Sequence, residues 1–306
     1  MPTIRVPAFT FRTLARMPVA VPRSLDEAVR LLADEPGAML LAGGTDAMVE
    51  INDGHRRPGE SVIALNRVTE LRSWSHDPAA GTLTIGAGVT YKELMTDPIA
   101  RWSPALAEAS RTVGSPQIRA AGTLGGNVGT CSPAGDGLPV LAALDAQVRL
   151  VSSAGERTLP VSDLMIGVKR TAIEPGELIV DITIPIAAGP QGYAKVGIRN
   201  AMVIAVASAC VAVDIEAKSV AVALGSVAPT VVRCAEAESL LAASVDWTAL
   251  AIETDMVAAA IDHVRSTARP ITDHRSTAEY RRHAVGVLVQ RLLRRAFSIE
   301  SAGAAA

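Results

Sequence analysis

Two glycine-rich segments carry the residue types and spacing that could do chemistry. The first reads AGGTD: Ala42, Gly43, Gly44, Thr45 and Asp46. The second reads GTLGGN: Gly122, Thr123, Leu124, Gly125, Gly126 and Asn127. Paired glycines let a backbone approach a ligand closely and adopt positive φ. Successive exposed N–H groups in such turns form a concave site for an anion. Thr45, Thr123 and Asn127 add side-chain donors. Two such segments in one chain suit a pyrophosphate bridged between them. Each segment taken alone also reads as an ordinary glycine turn.

The usual nucleotide signatures are absent. No GxxxxGK[ST] occurs, and GAGVTY at residues 86–91 begins like GxGxxG but ends in Tyr91. It fails the dinucleotide fingerprint, so a nicotinamide Rossmann domain is not expected. Cys131, Cys210 and Cys234 are widely spread, with no CxxC. That spacing excludes a zinc ribbon or a thiolate-held iron–sulfur cluster. A sparse, odd cysteine count fits a reducing cytoplasm. His263, His274 and His283 lack metal-ligand spacing and read as helical surface. Arg281, Arg282, Arg291, Arg294 and Arg295 make the last helical segment basic, either as a solvated face or as a face that docks a partner.

The elements that must position these residues are legible in outline. Ser24 and Glu27 form the ends of a capping box, followed by apolar residues at helical spacing. Residues 38–41 read as a short strand running into the first glycine segment, with a helix over 47–51 and a strand over 62–65. Residues 82–85 read as a strand, and Thr90 and Glu93 form a second capping box. Ser103-Pro104 and Ser115-Pro116 mark helix starts, with proline at the first helical position. Helix is expected over 138–144 and strand over 148–152 and 178–184. Residues 187–192, AAGPQG, form the best domain boundary. Beyond it, strands are expected over 203–213 and 220–227, then helices over 235–242, 248–266 and 276–296. Sheet first and helices later argues for α+β.

The 306 residues suggest about two domains at roughly 150 residues each. Hydrophobic residues make up 49% but aromatics only 3%, so the core must be Ala, Val, Leu and Ile. A net charge of −2 gives no basic footprint, which argues against nucleic acid as a partner. The longest apolar stretch, 201–213, lies between Arg199 and Asp214. It falls short of the ~20 residues of a membrane span and reads as a buried strand. Pro7, Arg12, Arg16 and Pro18 interrupt any leader-like apolar run. The tail, 301–306, reads as frayed.

At this point the chain resembles the FAD-binding subunit of the molybdenum hydroxylases, the xanthine dehydrogenase and carbon monoxide dehydrogenase family. The residues that carry the resemblance are LLAGGTD at 40–46, IGAG at 85–88, QIR at 117–119 and GTLGGN at 122–127. SPAGD at 132–136, LDA at 144–146, Ala194, Lys195, Arg199 and YRR at 280–282 continue it in the family's order.

The resemblance implies a two-subdomain FAD-binding domain of the vanillyl-alcohol-oxidase (PCMH) type over residues 1–186, with subdomains of about 1–65 and 66–186. A small α+β domain of the CO dehydrogenase flavoprotein type then covers 190–300. It implies that Ala42, Gly43, Gly44, Thr45 and Asp46, with Thr123, Leu124, Gly125, Gly126 and Asn127, hold the FAD pyrophosphate. Asp136 is expected to accept hydrogen bonds from ribose or ribityl hydroxyls, because a carboxylate beside a pyrophosphate is repelled. Lys195 falls on the family's lysine near the isoalloxazine, where a cation stabilises the anionic reduced flavin. A solvated strand-end lysine is the other reading. Cys131 stands where small residues are common and reads as a small buried hydrophobe or a redox-active thiol. Ala47 replaces a larger aliphatic residue. Some relatives carry an extra iron–sulfur cluster in this subunit, and the cysteines for it are missing here.

The implied activity is electron transfer through FAD, from [2Fe–2S] clusters of a small partner subunit to NAD⁺ or another acceptor. A large molybdopterin-binding subunit performs the hydroxylation, in a dimer of heterotrimers, and no residue here is expected to act as a catalytic acid or base. Two other readings are a stand-alone FAD-dependent oxidase or NADH reductase, and an adaptor that has lost its flavin.

Overall fold

The computed structural model describes residues 18–54 and 61–300. The expected frayed tail and the residues read for a leader at positions 7, 12 and 16 lie outside them. Three sheets organise the described chain. Val19–Ala20, Val62–Ala64 and Met39–Leu41 form a small parallel sheet in that order. Helix Leu25–Asp34 packs Ala28 and Leu32 into the same core as Ile63 and Leu65. Its N-cap Ser24 accepts from the Glu27 amide, but the Glu27 carboxylate takes the amide of Arg23, so only half of the expected capping box forms.

The second sheet is antiparallel, in the order Trp74–Asp77, Thr82–Gly86, Leu178–Pro185, Gln147–Ser152, Gly155–Pro160. Leu178–Pro185 lies at its centre, although almost a hundred residues separate it from Thr82–Gly86. Five of the helices between these strands concern the site: Tyr91–Leu94, Pro104–Thr112, Pro116–Ala121, Leu124–Thr130 and Gly137–Ala143. The capping box at Thr90 is complete, with both reciprocal bonds to Glu93 present. Pro104 and Pro116 each occupy the first turn of a helix.

The third sheet is an antiparallel meander of Gln191–Val196, Ala207–Asp214, Ser219–Gly225 and Val232–Arg233. Side chains alternate across a strand. Tyr193, Cys210, Ala212 and Ala223 therefore join the core of the preceding domain. Ala209, Val211, Val213, Val222 and Leu224 join a second core with helices Ala235–Ser244, Thr254–Thr267 and Ala278–Ala296. Tyr91, Tyr193 and Phe297 are the only aromatics among the described buried apolar residues; aliphatics fill the rest.

The structure corrects several expectations. The strand expected over 203–213 begins only at Ala207, because residues 197–206 form a loop fixed by two buried cations. Strand Gln191–Val196 starts inside the expected linker. The helix expected over 248–266 starts at Thr254, since Ala251–Glu253 pairs in parallel with Ser298–Glu300. That partner lies far along the chain and leaves no local signal. His274 sits in the loop before the last helix rather than on a helix.

Arg282, Arg291, Arg294 and Arg295 are exposed, but Arg281 is buried. Its Nη1 donates to the carbonyls of Val206 and Ser226, and its Nη2 to Asp273 at 2.7 Å. The Asp273 carboxylate also accepts from the amides of Arg275 and Ser276. Burial raises the Asp273 pKa, but these donors outweigh it and bring it to about 2. A depressed carboxyl pKa stabilises the fold above the unfolded value near 4 and loses that contribution as pH falls toward 2. Asp273→Asn should therefore cost about 1–3 kcal/mol at neutral pH by weakening the partner of a buried guanidinium. It should also flatten the stability loss between pH 4 and 2. Urea denaturation of both proteins at pH 7 and pH 3 checks this.

Candidate functional site

The first glycine segment follows strand Met39–Leu41 and leads into helix Ala47–Asn52. Gly44 has φ +71°, which turns the chain into that helix. Among the described residues, the amides of Gly43, Gly44, Thr45 and Asp46 donate to no backbone or side-chain oxygen of the protein. Asp46 occupies the N-cap position but makes no capping bond, and its side chain is exposed. Four successive free donors are what an anion site requires.

The second segment is built differently. Its expected open turn is the first turn of helix Leu124–Thr130, with Thr123 as N-cap. Its amides are already committed. Leu124 donates to Val89, Gly125 to Ala87, Gly126 to the Thr123 hydroxyl and Asn127 to the Thr123 carbonyl. Gly125 has no positive φ; it is needed because a Cβ there would lie 2.7 Å from the Ala87 carbonyl oxygen. This segment therefore offers a wall and side chains rather than a row of free amides.

The two segments meet. A Cβ on Gly43 would overlap the carbonyl oxygen of Ala121, and would lie 3.0 Å from the Cα of Gly122. Beside them, the Asn127 side chain is buried with its Oδ1 unpartnered. Its amide lies against Gly135 and Gly137, the neighbours of Asp136.

Asp136 and Lys195 are brought together, each about 8% exposed at the side chain. The ammonium donates to Asp136 Oδ2 at 2.6 Å, to the Thr112 carbonyl at 3.0 Å and to the Val203 carbonyl at 3.1 Å. All three of its protons thus have acceptors. Asp136 Oδ1 accepts from the Tyr193 hydroxyl at 2.7 Å. Burial raises the Asp136 pKa, and Lys195 and the Tyr193 hydroxyl oppose the rise. The Tyr193 phenol is pushed well above its ordinary range by burial and by Asp136. Sequence reasoning missed Tyr193, Thr112 and Val203. Two of them act through backbone carbonyls, which no residue type advertises. Cys131 is 2% exposed and closes the helix in a left-handed conformation, packed in the core. Burial raises its pKa, as expected for a small buried hydrophobe rather than a reactive thiol.

Among the described residues, a row of free amides and a glycine that admits close backbone contact fit the pyrophosphate of a dinucleotide, and FAD meets that description. The fold and this site define a flavoprotein of two domains. Residues 11–187 match the family profile of the FAD-binding domain in molybdopterin dehydrogenase, and residues 193–296 that of the CO dehydrogenase flavoprotein C-terminal domain. The chain belongs to the FAD-binding subunits of the molybdenum hydroxylase family, an oxidoreductase component.

The carbon monoxide dehydrogenase medium chain of Hydrogenophaga pseudoflava is 30% identical over 283 residues, 90% of this chain and 96% of that one. The putative xanthine dehydrogenase FAD-binding subunit of Escherichia coli is 29% identical over 88% of this chain and 92% of its own. A chain in the solved structure of the Hydrogenophaga carbon monoxide dehydrogenase that lacks the Mo-pyranopterin moiety superposes with a TM-score of 0.83 at 31% identity. It covers 92% of this chain and 97% of that chain.

The two glycines of the first segment should respond differently to a methyl group. Gly44→Ala meets ordinary contacts, the nearest at 3.4 Å, and bears only the strain of its φ. Gly43→Ala must push the segment away from Ala121. Gly43→Ala should purify with little bound flavin and Gly44→Ala with most of it, read from the 450/280 nm absorbance ratio of folded protein. Equal occupancy in the two variants would contradict the close approach as the reason for Gly43.

Proposed function

We propose that this chain holds one non-covalent FAD between the two glycine segments and relays electrons within a larger complex. They arrive from [2Fe–2S] clusters of a small partner subunit and leave to NAD⁺ or another acceptor. A large molybdopterin subunit oxidises the organic substrate, in a dimer of heterotrimers that we place in the cytoplasm. Relatives described as the medium chain of carbon monoxide dehydrogenase and the medium subunit of nicotine 6-hydroxylase support a multi-subunit setting. Among the described residues, no helix is long and apolar enough to cross a membrane, and no cluster of three or more His, Cys, Asp or Glu could hold a metal ion.

The observation that carries the reading is the row of free amides from Gly43 to Asp46 closed against Ala121 and Gly122. Bound FAD supplies a centre that accepts single electrons and passes on a hydride. This chain's residues bind and orient it. The amides of Gly43, Gly44, Thr45 and Asp46 face the pyrophosphate, with Ala42 leading into them. Thr123, Leu124, Gly125 and Gly126 form the opposing wall, and Asn127 backs it with its buried amide against Gly135 and Gly137. Asp136 keeps unshared lone pairs beside that amide for a sugar or ribityl hydroxyl. Lys195 is a positioning residue. Its ammonium is saturated and paired with a carboxylate, so it acts chiefly by holding the loop 197–206 against the FAD domain. Neither glycine segment contains a His or Cys to anchor a flavin covalently.

Two outcomes are expected. Acid precipitation should release the flavin into the supernatant; flavin retained in the pellet would contradict non-covalent binding. The isolated, flavin-loaded chain should reduce an artificial dye with NADH but hydroxylate no purine, aldehyde or N-heterocycle. Robust substrate oxidation by the single chain, with no molybdenum detected, would favour the stand-alone oxidase.

A further inference from the structure

Tyr91 enters no role described so far. In sequence it only spoiled a dinucleotide fingerprint. In the structure it is the first residue of helix Tyr91–Leu94 and sits behind the second glycine segment. Its amide donates to the Gly122 carbonyl at 3.0 Å. Its ring edge backs Gly122, 3.2 Å from where a Cβ would stand. The residue is 5% exposed, yet its hydroxyl has no hydrogen-bond partner among the described residues, and it is not among the polar atoms sealed from solvent. A buried phenol normally finds a partner, because leaving one unpaired carries a desolvation cost.

Two charged groups act on this phenol through space, Asp136 and the exposed Asp46. Together with burial, they push its ionisation well above the ordinary phenol range, so it remains a neutral donor. A neutral phenol beside Gly122 can donate to an oxygen of a ligand held at that segment. A ligand hydroxyl that gives its own proton to Asp136 suits this setting, because Asp136 keeps unshared lone pairs.

We propose that Tyr91 is a further FAD-binding residue, whose phenol donates a hydrogen bond to a polyol hydroxyl of the cofactor, on the ribityl chain or the ribose. This rests on FAD lying between the two glycine segments. With no partner among the described residues, the phenol oxygen is left available to a ligand.

The test is Tyr91→Phe in the full chain, made as apoprotein. Its melting temperature without flavin should equal or exceed that of the wild type. Its Kd for FAD, from flavin fluorescence quenching, should rise about tenfold, the loss of one hydrogen bond. FMN carries the ribityl chain without the ribose, and ADP carries the ribose without the ribityl chain. A matching loss with FMN assigns the bond to the ribityl chain, and a matching loss with ADP assigns it to the ribose. An unchanged FAD Kd in folded Tyr91→Phe overturns the proposal, as does a lower apoprotein melting temperature, which would reveal a partner within the protein. Gly43→Ala, measured alongside, separates the two ideas. If it binds FAD normally, the placement of the cofactor fails. If only Tyr91→Phe is silent, the tyrosine assignment fails alone.

Discussion

A lysine ammonium removed from water needs an acceptor for each of its three protons, and the architecture around Lys195 supplies them. One comes from the helix Pro104–Thr112, one from the carboxylate that opens the helix Gly137–Ala143, and one from the loop beyond Lys195's own strand. These groups belong to both domains, so they must stay together for the charge to remain satisfied. Removing one partner of such a buried pair leaves the other uncompensated, which costs far more than an exposed ion pair contributes. The pair therefore enforces the mutual placement of the domains more than it adds to net stability.

The domain junction is reinforced by apolar packing around that polar centre. The four-stranded sheet serves two cores at once, with Tyr193, Cys210 and Ala223 on one face and Val211, Val222 and Leu224 on the other. Apart from Tyr193, the residues on the face towards the FAD domain are small, Cys210, Ala212 and Ala223, letting the sheet approach helices Pro104–Thr112 and Gly137–Ala143 closely. At the periphery, Arg233 binds Glu238 and reaches across to the Ala142 carbonyl and Asp145. Glu108 receives both Arg295 and the amide of Tyr193. Polar contacts thus join the two domains on either side of Lys195.

The two glycine segments look alike in sequence and differ in physical role. In the first, glycine permits a turn and a close approach, and among the described residues four amides are left free. In the second, Gly125 permits a helix to pack on Ala87, and the amides are consumed in doing so. The FAD proposed to lie between them would meet donors on one side and a shaped wall on the other. Among the described residues, neither the Asn127 Oδ1 nor the Tyr91 hydroxyl beside that wall has a protein partner.

Local chemistry determined much of this protein in advance. Thr90 and Glu93 cap a helix because the reciprocal bonds need only those two side chains three residues apart. Ser115 and Thr277 cap theirs with one hydroxyl alone, accepting from the amides of Ile118 and Tyr280. The strand expected over 178–184 is the central strand Leu178–Pro185, and the glycine segments with their flanking motifs were enough to identify the family and its FAD. What only the tertiary structure decided depends on partners distant in sequence. The strand Ala251–Glu253 exists because Ser298–Glu300 pairs with it. Arg281 is buried because two distant carbonyls and Asp273 converge on it, although its position in a basic helix reads as solvent. The second glycine segment is helical because Val89 and Ala87 take its amides. Tyr91 drew notice in the sequence only for ending a failed motif, since its unpaired hydroxyl is a property of everything that surrounds it. Periodicity and capping are local, whereas the satisfaction of a buried polar group is settled only when the whole chain has closed around it.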